Sequence, residues 1–296
     1  MRHAPLNNIM FCSVSRSQTA RRNVTHILAD ACHGVGFSLA QALHAQPGSP
    51  RLAAATQSTA CATEFRQSFW DGDRLITSTL DLCSQAEVEK FVENIRYSFG
   101  DDVSCLIANV GASPSRWHRE SSLGFPRIVD TQGSAPSRWH RESSLGFPRI
   151  VDTQGSEWIR LSKDVSAVGV LIKSALPTML RTVKSLNSSE RKVICIVSHL
   201  TTEPLLQNAA LKASSAALGS LVSSASEEMR SLSPGRFCCV KIDPPFELFG
   251  KTHLLADWSV AAVKLIDRLR FDDNFARECD GTSVRVDYVT EGTHGS

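Results

Sequence analysis

Between Ala29 and Phe37 the chain reads Ala-Asp-Ala-Cys-His-Gly-Val-Gly-Phe, followed by the helical spacing Leu39, Ala40, Leu43. A glycine-rich turn between a strand and a helix lets backbone N–H groups approach a pyrophosphate at the helix N-terminus. Asp30, His33, Gly34 and Gly36 are therefore candidate dinucleotide contacts. A second group, Asp164, Ser198, His199, Asn208 and Lys212, is spread further along the chain. A carboxylate or a lysine held in a desolvated crevice can serve as an acid or base. The plain alternative for Asp164 and Lys212 is a buried ion pair, and for His199 a polar loop residue. Ser198 and His199 are adjacent, so on a strand their side chains face opposite ways and make a poor nucleophile–base pair. His118 and His140 lack metal-ligand spacing, and no metal site is expected.

The elements that must position these residues follow from periodicity. Strands are expected at Val24–Ala29, Leu52–Ala55, Leu75–Leu80, Val103–Asn109, Val193–Ser198, Phe237–Ile242 and Val284–Tyr288. Ser84-Gln85-Ala86-Glu87 reads as a capping box opening a helix that carries Val88, Phe91, Val92 and Ile95. Long helical patterns run from Glu157 to about Thr182 and from Leu205 to about Arg230, the second rich in alanine and serine. Alternating strands and helices predict an α/β fold: a single domain with a doubly wound, Rossmann-type, parallel seven-stranded sheet. Its ligands would lie beyond the carboxyl ends of the strands.

With these elements in place, the motifs resemble the short-chain dehydrogenase/reductase family over roughly residues 23–289. Asp81 closes the third strand, where the family holds an adenine ring, and Ala108-Asn109-Val110-Gly111 stands where it has Asn-Asn-Ala-Gly. Lys212 takes the place of the lysine in Tyr-x-x-x-Lys, Ser198 lies near the catalytic serine, and Pro244 follows the sixth strand near the family's Pro-Gly. The resemblance implies cofactor contacts from Asp30, His33, Gly34, Gly36, Asp81, Asn109, Gly111 and Lys212. It also implies a small-molecule substrate and a homodimer or homotetramer built on the two long helices. NADP(H) is implied over NAD(H), because Ala55-Thr56-Gln57-Ser58 offers no carboxylate for a ribose 2′-hydroxyl and His33 is basic.

Four departures from the family pattern bear on chemistry. Ala29 and Asp30 replace the Thr and first Gly of Thr-Gly-x-x-x-Gly-x-Gly. Asp tolerates left-handed backbone, but a carboxylate about 4 Å from a phosphate costs on the order of 4 kcal/mol, about a thousandfold in affinity. Asn208 stands where the family's tyrosine moves a proton, and an amide has no proton to give near neutral pH. Asp164 aligns with the family's helix-borne asparagine, and the interval from Ser198 to Asn208 is shorter than the family's. Three function classes follow. The first is a non-redox isomerase or cyclase in the former reductase crevice, a class with precedent in the family's Diels–Alder-type cyclases of alkaloid (secondary) metabolism. The second is an NADPH-dependent carbonyl reductase or dehydrogenase with a rearranged proton donor, and the third an inactive binding or oligomer subunit. The joint change of turn and proton donor ranks the non-redox enzyme first.

Composition bounds the rest. The chain has 296 residues with a net charge of +2, which gives no basic excess for nucleic acid, and it has no apolar run long enough to span a membrane. Nine cysteines without a CxxC pair read as buried small hydrophobes in a reduced protein without disulfides, and a cytoplasmic location is expected. Residues 1–22 form a basic leader without acids, compatible with organellar import or with a plain tail. Residues 114–134 recur letter for letter as 136–156, and each copy carries Trp-His-Arg, a pairing suited to an aromatic or anionic ligand. One copy nearly fills the expected connection; two are too few for a repeat architecture. The divisions are thus a leader 1–22, one domain 23–290 and a tail 291–296.

Overall fold

The computed structural model describes residues 24–32, 34–48, 50–69, 73–110, 155–186, 190–198, 209–245, 248 and 252–286. The leader, the tail and the duplicated segment lie outside these residues, save that 155–156 open a helix.

The strands are β1 (Thr25–Ala29), β2 (Arg51–Thr56), β3 (Leu75–Thr79), β4 (Val103–Val110), β5 (Lys192–Ser198), β6 (Phe237–Ile242) and β7 (Thr282–Val284). They form one sheet in the order β3-β2-β1-β4-β5-β6-β7 with every pairing parallel. The helices are α1 (Gly34–His44), α2 (Thr59–Ser68), α3 (Gln85–Phe99), α4 (Gly155–Arg181), α5 (Ala209–Leu232), α6 (Thr252–Phe271) and α7 (Asp273–Cys279). The order reverses between β1 and β4, which makes this a doubly wound sheet whose crevice opens at that switch point.

The central strands are buried along their whole length, as a parallel sheet covered on both faces requires. Alternate side chains go to opposite faces. Ile27, Ala29, Leu106, Ala108, Ile194 and Ile196 pack with Val88, Phe91, Leu171 and Leu218 from α3, α4 and α5. Leu28, Cys105, Ile107, Cys195 and Val197 pack with Leu39, Trp258 and Ala276 from α1, α6 and α7. Lys192 and Lys241 are charged side chains buried within the strands, each paired with an aspartate, Asp102 at 3.0 Å and Asp243 at 2.6 Å.

Two expectations are adjusted. Ser84 does cap α3, accepting from the Glu87 N–H, but Glu87 reaches back to the N–H of Asp81 instead of Ser84, whose own N–H donates to the Asp81 carbonyl. The last strand starts earlier than Val284 and ends there. Gly281, at φ 77°, donates to the Cys239 carbonyl and brings Thr282 straight into register with Val240.

The cysteine expectation is corrected. Cys32 and Cys61 are joined as a disulfide with Cα atoms 5.5 Å apart. β1 and β2 are parallel neighbours, so residues a few positions past each strand meet at the same edge. The other described cysteines are free, and Cys105, Cys195, Cys238 and Cys239 are buried as expected. Burial pushes the Cys105 thiol up to about 12.

His26 on β1 is fully buried and neither ring nitrogen has a hydrogen-bond partner. Burial, helped by the charge of Arg270, lowers its pKa to about 3. Its folded value lies below the unfolded one, so its contribution is complete above about pH 6.5 and is lost as pH falls, by about 1.4 kcal/mol per unit until the folded value is reached. Urea unfolding of the wild type should weaken from pH 7 to pH 5 more steeply than that of His26→Leu. Equal slopes would show that His26 charges freely in the fold.

Candidate active site

The crevice is built first from the β1–α1 turn. Asp30 adopts φ 53°, the left-handed conformation that the family's glycine would supply and that aspartate adopts more readily than most residues. Its peptide is held on both sides. The Asp30 carbonyl accepts from Asn109 Nδ2 at 3.0 Å, and the next N–H, from Ala31, donates to the Ala55 carbonyl at 3.2 Å. Gly34, at φ 55°, then opens α1. Gly36 packs so tightly beneath the turn that a Cβ there would lie 2.2 Å from the Asp30 carbonyl oxygen and 2.9 Å from Asn109 Nδ2. The first-turn N–H groups of α1, which a helix leaves without internal partners, thus face the crevice end of the sheet on a closed, glycine-shaped turn.

The wall beside this turn is made by β4 and β5. Asn109 and Ser198 are both buried, with Asn109 in register with Val197 and Val110 with Ser198. Lys212 lies near the start of α5 and is exposed. Across the crevice, Asp81 follows β3 and uses its carboxylate Oδ1 to accept from the Cys83 N–H at 2.9 Å. Asp164 is half-buried on α4, and its charge acts on the Cys83 thiol together with that of Asp81. Partial burial first and these two carboxylates next raise that thiol, against the opposing charge of Lys163. The Cys83 Sγ donates to the Lys163 carbonyl at 3.4 Å, which brings the neighbouring Asp164 beside the β3–α3 connection.

His33, Gly111, His199 and Asn208 lie outside the described residues. Tyr97 on α3 is 94% exposed and does not substitute for the tyrosine that position 208 lacks; Tyr288 lies outside the described residues. Among the described residues no cluster of three or more metal-ligating side chains occurs, and no helix is long and apolar enough to cross a membrane.

The crevice also holds a feature that motif reading missed. Cys32 lies within the turn and Cys61 within the first turn of α2, where its N–H donates to the Ser58 Oγ cap at 3.2 Å. The signal was available in the spacing, since each cysteine follows one of two adjacent parallel strands. It is legible only once those strands are known to be neighbours.

No protein-family model matches the chain, and no curated protein matches it. Solved structures do. The carbonyl reductase Sniffer of D. melanogaster is 18% identical with a TM-score of 0.66, over 91% of this chain and 98% of that one. A 3-ketoacyl-(acyl-carrier-protein) reductase from Brucella melitensis, complexed with NADH, is 17% identical with a TM-score of 0.62, over 90% and 96%. An NADPH-bound short-chain oxidoreductase from Pseudomonas aeruginosa PAO1, described as containing an atypical catalytic center, is 18% identical with a TM-score of 0.54, over 88% and 94%. With its strand order, closed glycine turn and near-complete coverage of these structures, the chain has the fold of the short-chain dehydrogenase/reductases.

Proposed function

We propose that the crevice binds a nicotinamide dinucleotide, NADP(H) before NAD(H), and acts on the carbonyl or alcohol of a small organic molecule. The observation that carries this reading is the β1–α1 turn. Asp30 takes the glycine conformation, and Asn109 and Gly36 lock it there. A turn with no ligand to meet has no evident need for a left-handed residue, a buried amide and a glycine without room for a Cβ. The preference for the phosphorylated cofactor rests on β2, which ends without a carboxylate and whose following Ser58 is engaged in capping α2.

A bound nicotinamide would supply or accept the hydride. The chain's own residues would do the rest. The α1 N-terminus would hold the pyrophosphate, Asp81 the adenine side, and Lys212 the ribose nearest the nicotinamide. The Ser198 hydroxyl, at the crevice end of β5, would orient the substrate oxygen. Because position 208 is asparagine, the proton must come from another group, and Lys212, with three N–H donors, is the nearest in chain position. His199 and Asp164 are the remaining titratable groups of the reading. A homodimer or homotetramer through α4 and α5 belongs to the same reading, supported by the exposed Ile159 on α4.

Asn208 favours a second reading, a non-redox isomerase or cyclase that uses the same crevice for shape and for acid–base help. We rank it second because the locked turn supports the dinucleotide reading, which reverses the order that the sequence alone suggested. The two readings separate on cofactor use.

Two measurements test the proposal. Titration of the reduced protein with NADPH, followed by fluorescence transfer, should give saturable micromolar binding, and Asp30→Gly should tighten it by about tenfold or more as the carboxylate is removed from the pyrophosphate. Absence of binding in both proteins would overturn the cofactor reading and leave the non-redox one. Gly36→Ala drives a Cβ into the Asp30 carbonyl and should cost about 1–3 kcal/mol or more in urea unfolding, with loss of NADPH binding. Unchanged stability in that variant would show that the turn is not closed as described.

A further inference from the structure

The disulfide joins two turns that a bound dinucleotide would have to share. In a doubly wound sheet the pyrophosphate sits at the N-terminus of the first helix, and the ribose hydroxyls reach the end of the second strand. The ribose therefore occupies the gap between the β1–α1 and β2–α2 turns. Cys32 stands in the first of these and Cys61 in the second. With their Cα atoms 5.5 Å apart, the disulfide draws these two turns together at the place where the ribose would enter.

We infer that Cys32 and Cys61 form a reversible thiol–disulfide site that closes the ribose side of the crevice when oxidised and opens it to the dinucleotide when reduced. The inference rests on the dinucleotide reading for its functional consequence, and on the disulfide's position for the device itself. Three further observations support it. Cys61 belongs to the first turn of α2, where a helix end favours negative charge and so favours a departing thiolate. Both cysteines are buried, with Cys32, 8% exposed against 3% for Cys61, the less deeply covered residue. Phe37 of α1 packs on Phe65 and Phe69 at 5.9 and 5.8 Å between ring centroids. These rings keep α2 docked when the covalent link is cut and confine the opening to the two turns.

The chemistry balances with an ordinary dithiol. A reductant thiolate attacks the Cys32 sulfur, and Cys61 leaves as a thiolate and takes up a proton. The reductant's second thiolate then displaces Cys32, closing its own disulfide, so that two electrons and two protons pass to the protein. Closure runs the other way, with a small-molecule disulfide reduced to two thiols as the Cys32–Cys61 bond forms.

The test uses the full chain equilibrated across a series of reduced and oxidised glutathione mixtures. Thiols are counted by alkylation and mass, hydrogen exchange is followed in peptides covering residues 30–36 and 57–62, and NADPH is titrated at each end of the series. Two thiols should appear together on reduction, exchange in both turns should speed by about tenfold or more, and NADPH should bind about tenfold tighter to the reduced form. Cys61→Ser should behave as the reduced form under all conditions, and Cys32→Ser serves the same purpose if the first variant fails to fold. Equal exchange in both states, or tighter NADPH binding by the oxidised protein, would overturn the proposal. Turns that open on reduction without NADPH binding in either state would overturn the dinucleotide reading and leave the redox device standing. Equal NADPH binding with unchanged turns would do the reverse.

Discussion

The hydrogen bond from the Asn109 amide to the Asp30 carbonyl ties the sheet to the turn that everything at the crevice depends on. A left-handed residue at that point sends the chain from β1 sharply back beneath its own carbonyl and into α1. Such a conformation costs on the order of 1–2 kcal/mol for a non-glycine residue, and a buried carbonyl without a partner would cost a comparable amount. Asn109 supplies the partner from β4, and Gly36 supplies the space. The switch point between β1 and β4 is thus a shared joint in which each strand's end is shaped by the other.

The same joint gathers residues that hold the crevice. Asn109, Gly34, Gly36 and Ser198 belong to strand ends and a helix start whose positions are fixed by the sheet. Asn208 precedes α5 in the chain and lies outside the described residues. A fold of this kind can host different chemistries, because it is held by packing contacts along the strands while function is set by the particular residues at the crevice.

Most of the framework is readable in the chain. Short, largely apolar runs such as Val103-Ser104-Cys105-Leu106-Ile107-Ala108, set between helical patterns, read as strands covered on both faces, and the spacing of Val88, Phe91, Val92 and Ile95 gives α3 its buried side. The tolerance of aspartate for left-handed backbone was enough to anticipate a surviving turn at Asp30. What escaped sequence reading were relations that exist only between elements. Glu87 finds Asp81 instead of its capping partner because the β3–α3 connection folds back over it. Cys32 and Cys61 are 29 residues apart and carry no motif; their meeting follows from the parallel pairing of β1 with β2. β7 began early because Gly281 could turn directly into register with β6, which no local pattern marks.

The cysteines of the central strands have a consequence for what the protein can survive. Cys105, Cys195, Cys238 and Cys239 fill the sheet core as small apolar side chains, and burial pushes each thiol well up from its ordinary range. A thiol held protonated and out of reach is not a nucleophile. Aldehydes, enones and other electrophiles that would alkylate an exposed thiolate therefore meet a sheet that is rich in sulfur and inert towards them. The core gains the packing of a small soft side chain while escaping the covalent damage that such carbonyl compounds inflict elsewhere.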